Sequence, residues 1–426
     1  MATQAASSIR EPARETPVRH ETEVLVVGGG TAGVAAAVAA ARAGADVLLV
    51  ERHGYLGGLA TGGLIILLLT LDDGRGRQSI AGLCQDAVDR LVARGAAFFP
   101  PREEWGSSDA AAVERAQRWG LVWGRPPHAV RYSVAYDPAY LKGVLDEMLR
   151  DAGARVLLHA WGCEPVVDGD RVTAVAFQSK AGRFAVRARV VIDATGDGDL
   201  FAAGGCAHET EQVLPWMWFT VGGVAVDRAI ESGAGCFQTI GPGKVLFPWG
   251  SIEKIGRIDA TRPEDLTRAE LECRRRVLAE FDRLRREVPG FADAHLCEVA
   301  DQLGITESRR LVGRSVLRRE QMDTVLEDAV AVTGHWTRYG ALYQVPYGAL
   351  LPRELRNLAV AGRCISVDHR AHNATKEIPA CMATGEAAGT AAALAVRSGV
   401  DLPDLDVGDL RGALVERGAI VSLEPS

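Results

Sequence analysis

A glycine-rich turn between two apolar segments near the start of the chain constrains the fold most strongly. Val24–Val27 is wholly apolar, as in a parallel strand buried on both faces. It leads into Gly28-Gly29-Gly30-Thr31-Ala32-Gly33, a G-x-G-x-x-G motif. The alanine-rich segment 32–43 predicts a helix, and Val47–Val50 predicts a second buried strand. This order of strand, turn, helix and strand is typical of a dinucleotide-binding unit.

Each residue type in the motif has a separate physical role. Gly28 permits the tight turn, Gly30 permits a pyrophosphate to approach the backbone, and Gly33 permits the helix to pack closely on the strand. Glu51 follows the second strand, where a carboxylate can accept the hydroxyl groups of an adenosine ribose. A glycine-rich turn without a ligand would require neither the helix nor the acid, so we predict a dinucleotide site.

Composition and charge exclude several classes of protein. The 426 residues suggest two or three domains, and the net charge of −7 argues against a nucleic-acid partner. No apolar run is long enough for a membrane span, and residues 1–20 are expected to form a disordered tail. The eight cysteines show neither C-x-x-C spacing nor clustering with histidines. We therefore expect a cytoplasmic protein with reduced thiols, no metal site and no membrane partner.

Three further turns follow the first unit. Gly57–Gly63 is rich in glycine, Asp193–Asp199 follows the apolar strand 190–192, and Gly362-Arg363 follows the apolar strand 358–361. Ligands of parallel sheets collect at the carboxyl edge of the strands. These turns are therefore expected to meet around one ligand.

The segments between these turns have a different character. Residues 64–135 are expected to form an insertion or cap, and residues 205–345 an inserted domain with a long charged helix near 264–288. We expect five apolar residues of that helix to face inward: Leu271, Leu278, Phe281, Leu284 and Val288. Its arginines alternate with glutamates, which indicates a solvated face rather than a nucleic-acid surface. A later alanine-rich helix from Pro379 carries Gly385 and Gly389, a smooth stripe for close packing.

Together these segments resemble the FAD-dependent oxidoreductase family with the glutathione-reductase-type FAD fold. More narrowly, they are similar to its bacterial subgroup related to fumarate reductase flavoproteins and thiazole-biosynthesis enzymes. The matching stretches are 26–52, 54–64, 190–200, 305–313 and 357–394. The resemblance implies an α/β fold: a Rossmann-type FAD-binding domain, with a parallel sheet and an antiparallel meander, and an inserted α+β substrate domain. The FAD-binding domain would be discontinuous (21–63, 136–204 and 346–420), and 205–345 would be the substrate domain.

The resemblance also implies which residues hold FAD. The residues expected at the cofactor are Gly28, Gly30, Thr31, Ala32, Gly33, Glu51, Arg52, Gly57, Gly58, Leu59, Ala60, Thr61, Ala194, Thr195, Gly196, Gly362, Arg363, Ala380, Cys381 and Met382. Some fumarate-reductase relatives tether FAD through a histidine in the second glycine motif. Here that turn has Leu59 and Ala60, so noncovalent FAD is expected.

Flavin chemistry also requires groups that take up a proton and position the substrate. The candidate catalytic residues are His335, His369, His372, Lys376 and Tyr343, and the candidate substrate-binding residues are Arg309, Tyr347 and Asn373. Arg309 and Arg310 could instead form salt bridges within the domain. Cys364 and Cys381 are seventeen residues apart in the sequence and are interpreted as small buried residues rather than a redox pair.

Three functions are compatible with this pattern. The first is an FAD-dependent dehydrogenase or oxidase that transfers a hydride from a small or medium organic substrate to flavin N5, with oxygen or another redox carrier as acceptor. The second is a flavin-dependent monooxygenase reduced directly by NAD(P)H, since the chain has no second G-x-G-x-x-G motif. The third is a protein in which FAD is structural, or a relative that modifies RNA. We favour the first.

Overall fold

The computed structural model describes residues 8–9, 11–248 and 255–423. Residues 1–7 and 10 of the predicted tail lie outside the described residues. The predicted end of that tail at residue 20 was wrong, because the first strand begins at Val18 and includes Val18–His20. These residues pair with the strand that contains Ala185 and Val186, which gives their backbone groups hydrogen-bond partners.

The regular elements are numbered in chain order. The strands are β1 Val18–Val27, β2 Val47–Val50, β3 Leu67–Leu68, β4 Ala97–Phe98, β5 Val134–Tyr136, β6 Arg155–Leu157, β7 Trp161–Asp168, β8 Arg171–Ser179, β9 Gly182–Asp193, β10 His208–Thr210, β11 Gln212–Val213, β12 Phe219–Gly222, β13 Phe237–Gln238, β14 Val245–Phe247, β15 Ile258–Asp259, β16 His295–Val299, β17 Arg309–Leu311, β18 Ala329–Gly334, β19 Leu342–Pro346 and β20 Leu358–Val360. The α-helices are α1 Thr31–Arg42, α2 Gly82–Val92, α3 Ala110–Arg118, α4 Pro138–Ala152, α5 Asp199–Ala203, α6 Val226–Glu231, α7 Pro263–Glu287, α8 His369–Thr375, α9 Ile378–Ser398 and α10 Val407–Glu416.

The largest sheet has the strand order β6-β2-β1-β9-β8-β7, and β20 lies beside the end of β9. The pairs of β6, β2, β1, β9 and β20 are parallel, whereas β9, β8 and β7 form an antiparallel meander. Strands β1 and β2 are almost wholly buried along their apolar segments, as expected for a sheet covered on both faces. The predicted α/β fold class is confirmed.

Strand β9 joins the two parts of this sheet. The apolar strand predicted over 190–192 is the end of a longer strand, Gly182–Asp193. Its first half pairs with β8 in the meander, and its last residues pair in parallel with β20, while β1 follows its other edge. Arg187 and Arg189 hid this continuity, because they interrupt the apolar pattern where the strand changes partners.

Helices α1 and α9 pack against each other through small residues. A β-carbon on Gly385 would overlap the carbonyl oxygen of Ala32, and one on Gly389 would overlap that of Ala36. The predicted role of these glycines in close packing is therefore observed. The contact fixes the beginning of α9 beside the beginning of α1, at the carboxyl edge of the sheet.

The segment 205–345 contains the antiparallel sheet β13-β14-β12-β16 and helix α7. The expected inward face of α7 was wrong at Leu271 and Leu278, which are 63% and 55% exposed. The buried positions are Ala269, Cys273, Val277 and Leu284. Leu271 lies two residues after Ala269, which turns it to the opposite side of the helix. The spacing of the small residues, rather than the size of the leucines, identifies the packed face.

The surface of α7 agrees with the interpretation of a solvated face. Arg274 pairs with Glu270, Arg275 with Glu272, and Arg283 with Glu280, all within one turn of the helix.

The segment 64–135 forms the small sheet β3-β5-β4 with α2 and α3, and α2 packs on α9. In the part of the chain that the structure describes, no helix combines the length and apolar character needed to cross a bilayer.

The contact between α1 and α9 can be tested by adding a methyl group. Gly389→Ala is expected to lower the free energy of unfolding by about 2 kcal/mol, because its β-carbon overlaps the Ala36 carbonyl oxygen. The matched control is Gly143→Ala in α4, where a β-carbon meets no atom within 4 Å. That substitution should leave stability unchanged or raise it by about 0.5 kcal/mol. Chemical denaturation of both variants measures the difference, and equal stabilities would contradict the packing described.

Candidate functional site

A cavity of about 690 Å³ lies at the carboxyl edge of the large sheet. The turns that follow β1, β2, β9 and β20 all line it, together with the beginnings of α1 and α9. Gly30, Gly196 and Gly362 therefore belong to one site, although they are far apart in the sequence. Its volume lies in the range of small-molecule and cofactor sites.

Most residues expected at the cofactor line this cavity. They are Gly28, Gly30, Thr31, Ala32, Glu51, Arg52, Gly57, Gly58, Leu59, Ala60, Ala194, Thr195, Gly196, Gly362, Arg363 and Cys381. Gly33, Thr61, Ala380 and Met382 do not line it. The Thr61 hydroxyl donates to the Leu56 carbonyl at 2.6 Å and so holds the second glycine turn. Ala380 and Met382 are buried in the first turn of α9.

The three spaced glycines differ in what surrounds them. A β-carbon on Gly28 would overlap the Ala194 carbonyl, and one on Gly33 would overlap the Gly28 carbonyl, so both positions have no room for a side chain. A β-carbon on Gly30 would meet no protein atom within 4 Å. Gly30 thus faces open space in the cavity. It also precedes α1 without any side-chain cap, which leaves the first amides of this helix available to an anion.

Glu51 lies at the end of β2 and holds two backbone segments. Its carboxylate accepts a hydrogen bond from the Gly29 amide at 2.5 Å and one from the His53 amide at 2.8 Å. A carboxylate has about four lone-pair sites, so both oxygens can still accept further donors. Nearby, the Arg52 guanidinium lies over the Trp161 ring, 4.9 Å from its centroid, and both residues line the cavity.

Arg363 and Asp197 form a partly buried ion pair between the β9 and β20 turns. Arg363 donates to the Asp197 carboxylate at 2.7 Å, and the Ser308 hydroxyl donates to the same oxygen at 2.6 Å. Burial acts to raise the pKa of Asp197, but the Arg363 charge and the hydrogen bonds from Ser308 and Arg363 together outweigh it, and the pKa is lowered overall. The Nε of Arg363 is buried without a hydrogen-bond partner among the described residues. A donor in this state fits an anionic ligand in the cavity.

Part of the cavity wall is aromatic, and this was not predicted. Five tryptophans from four separate segments of the chain line it: Trp123, Trp161, Trp216, Trp218 and Trp336. Trp216 and Trp218 are tilted by 39° to each other, and Trp123 meets Trp336 edge to face at 69°. These rings give the cavity an aromatic, apolar lining that suits a ring system.

A second cavity, of about 550 Å³, contains most of the predicted catalytic residues. His335, His369, His372, Tyr343, Asn373 and Lys376 all line it. Lys376 and Thr306 also line the first cavity, so the two cavities adjoin at these residues. Of the predicted catalytic residues, all of them described by the structure, only Lys376 lines both cavities.

Two histidines of the second cavity are buried and neutral. The Thr337 amide donates to Nδ1 of His335 at 3.3 Å, and burial followed by the charges of Arg338 and Arg131 lowers its pKa to about 4. His372 bonds the Arg363 carbonyl through Nε2 at 3.0 Å, and burial with the Lys376 charge lowers its pKa well below the usual range. His372 therefore connects the second cavity to the backbone beside Arg363.

His369 is exposed and lies beside two carboxylates. Its Nδ1 is 3.0 Å from Glu307 and 3.8 Å from Glu211. Among the described residues, only this group of His, Cys, Asp or Glu side chains is spaced closely enough to hold a metal ion. Arg310 pairs with the other oxygen of Glu307 and also with Glu209. A cation at Glu307 would therefore compete with a buried guanidinium.

The remaining predicted residues lie in different settings. Arg309 lines the first cavity and pairs with Asp199 at 3.1 Å, whereas Arg310 is buried in the salt bridges described above. Tyr347 lines neither cavity, and its hydroxyl donates to the Leu402 carbonyl at 2.9 Å. Cys364 is wholly buried and Cys381 nearly so, as expected for small buried residues.

Comparisons with known proteins agree with this architecture. Two digeranylgeranylglycerophospholipid reductases from Methanopyrus kandleri are 31% and 32% identical to the chain over 181 residues, or 41% of the chain. The match spans 38% and 40% of those relatives, less than half of their length. The crystal structure of p-nitrophenol 4-monooxygenase from Pseudomonas putida has a similar fold, with a TM-score of 0.50 and 14% identity over 93% of this chain and 84% of that one.

The model of the FAD dependent oxidoreductase family matches residues 23–414. This range includes all of the turns that line the first cavity. It also includes Thr306 and Lys376, which line both cavities. The chain therefore belongs to the FAD-dependent oxidoreductase family, and it is an enzyme whose cofactor is FAD.

Proposed function

We propose that FAD lies noncovalently in the first cavity, with its adenosine at Glu51 and Arg52 and its ring system near Lys376. The pyrophosphate would lie against the amides that follow Gly30 and near the unpaired Nε of Arg363. The tryptophan-lined wall and the beginning of α9 would enclose the isoalloxazine. Glu51 and Arg52, which follow β2, and Lys376, which precedes α9, all line this one cavity, as the proposed orientation requires.

We further propose that the enzyme exchanges a hydride between a small or medium organic substrate and flavin N5. When bound, FAD supplies the site that accepts or delivers the hydride. The single observation that carries this proposal is the position of Lys376, whose side chain lines both the FAD cavity and the polar second cavity. A substrate held in the second cavity would meet the cofactor at this residue.

The chain's own residues would act on charge and orientation. The ammonium of Lys376 lies 3.5 Å from the Glu377 carboxylate and near the first turn of α9. Its charge and the free amides of that turn would stabilise negative charge that develops on the ring during reduction. His335 and Tyr343 would hold the substrate as uncharged donors, since burial keeps the imidazole neutral and raises the pKa of the phenol.

The hydride could move in either of two directions, and each defines a candidate reaction. Dehydrogenation of an amine, alcohol or hydroxy acid is the first. The two curated relatives are named reductases, which favours the reverse direction, addition of a hydride to a substrate double bond, as the second candidate. A monooxygenase would require NAD(P)H to reduce the flavin directly.

Anaerobic reduction of the flavin tests the proposed reaction. The holoenzyme is mixed without oxygen with a panel of amines, alcohols and hydroxy acids, and separately with NADH and NADPH, and the flavin absorbance is followed. Loss of the absorbance with a member of the organic panel is expected. Reduction by NAD(P)H alone, followed by substrate hydroxylation when oxygen is admitted, would contradict the dehydrogenase proposal.

Gly30→Ala tests the proposed place of the pyrophosphate. The apoprotein is expected to unfold within about 2 °C of the unchanged chain, because the new methyl group meets no protein atom. The FAD dissociation constant should rise at least about tenfold, because the methyl group occupies the space of the ligand. Fluorescence titration with FAD measures this, with Gly143→Ala as control. An unchanged dissociation constant would place the pyrophosphate elsewhere.

Lys376→Met tests the proposed charge next to the ring. Removal of a positive charge is expected to make the two-electron midpoint potential of the bound flavin more negative by about 30 mV or more, equivalent to ~1.4 kcal/mol. Lys180→Met, in the turn between β8 and β9, is the matched control and should leave the potential unchanged. Equilibration with reference dyes measures both. Equal potentials in the two variants would contradict the position of Lys376 at the flavin.

A further inference from the structure

The second cavity is lined by hydrogen-bond donors and cationic side chains. Arg319, Arg338 and Arg370 contribute to it alongside Lys376, and among the described residues no carboxylate lines it. These three arginines come from the 3₁₀ turn before β18, the turn after β18, and α8. None of them was identified from the sequence. Their convergence on one concave surface is produced only by the fold.

The guanidinium groups of these arginines are not neutralised by the protein. In the residues that the structure describes, Arg319, Arg338 and Arg370 have no carboxylate within 4.0 Å of the side chain. Two acids from neighbouring segments are engaged in other contacts. Asp368 accepts the backbone amides of Arg319, Arg370 and Ala371, and Glu307 is bound by Arg310 and His369.

The buried part of the cavity also presents donors. Tyr343 is 1% exposed, and within the described chain its hydroxyl has no hydrogen-bond partner. His335 is 5% exposed and accepts the Thr337 amide at Nδ1, so the proton of its neutral imidazole is on Nε2. Because Tyr343 lines the cavity, a ligand or water there can accept a hydrogen bond from this hydroxyl. An oxyanion would accept hydrogen bonds from the phenol, the imidazole and the guanidinium groups together.

We propose that the second cavity binds an oxyanion group of the substrate, a carboxylate or a phosphate, through Arg319 and Arg338. The rest of the substrate extends past Thr306 and Lys376 into the FAD cavity. The substrate class is therefore an organic acid or a phosphate ester whose reacting carbon is separated from its anionic group. This inference rests on the proposed function, since it requires the reaction to occur where the two cavities adjoin.

Calorimetric titration of the holoenzyme tests the inference without turnover. The probes are benzoate, succinate and inorganic phosphate, each added at constant ionic strength in a chloride buffer free of other oxyanions. The unchanged enzyme is expected to bind at least one probe saturably. Tighter binding of benzoate or succinate identifies a carboxylate subsite, and tighter binding of phosphate identifies a phosphate subsite.

Two variants and a matched control localise the binding. Arg319→Gln and Arg338→Gln should each weaken the bound probe by about tenfold to a hundredfold, as expected for the loss of a hydrogen bond to a charged group. Arg397→Gln, near the end of α9 and in neither cavity, should bind as the unchanged enzyme does. The flavin absorbance spectrum verifies that each variant retains its fold and cofactor. Arg338 is exposed, so its variant remains informative if Arg319→Gln does not fold.

The outcomes separate this inference from the proposed function. If no probe binds, or if both arginine variants bind the probe as tightly as Arg397→Gln, the anion subsite is wrong. The anaerobic reduction of the flavin can still succeed in that case. If the flavin is not reduced by any organic substrate while anion binding depends on Arg319 and Arg338, the subsite stands and the proposed reaction is wrong.

Discussion

The close contact between α1 and α9 is the constraint on which the rest of the structure depends. Both helices begin at the carboxyl edge of the sheet, and glycine at 385 and 389 lets α9 lie directly on the carbonyl oxygens of α1. The first turn of each helix is thereby directed at the same cavity. A larger residue in this stripe would separate the two helices and the loops that precede them, including Arg363 and Lys376.

The second consequence of this packing is that two cavities adjoin. Helix α8 precedes α9, and its residues face the second cavity while the turn between the helices faces the first. His372 links the two by its bond to the carbonyl of Arg363, whose guanidinium is paired with Asp197. A continuous set of polar contacts therefore runs from the proposed pyrophosphate site to the proposed substrate site. The division into an apolar, aromatic cavity and a cationic one suits a planar cofactor beside an anionic substrate.

The parts of this arrangement that could be predicted are those set by local backbone chemistry. Gly28 is required by its positive φ of 104° and Gly33 by the Gly28 carbonyl, both within one turn, so a short motif reveals them. Gly385 and Gly389 show their packing role by their spacing alone. The arginines of the second cavity could not be found in this way, because Arg319, Arg338 and Arg370 lie on three segments and resemble any exposed arginine. Leu271 was misassigned because residue size was weighed above helical position.

A crystal structure of the holoenzyme with FAD and benzoate tests the central claim, that distant turns hold one FAD whose ring system meets the second cavity at Lys376. The account predicts the pyrophosphate against the amides after Gly30 and the isoalloxazine in contact with Lys376. The isoalloxazine at the Glu51 end of the cavity, or separated from Lys376 by the tryptophan wall, would contradict it.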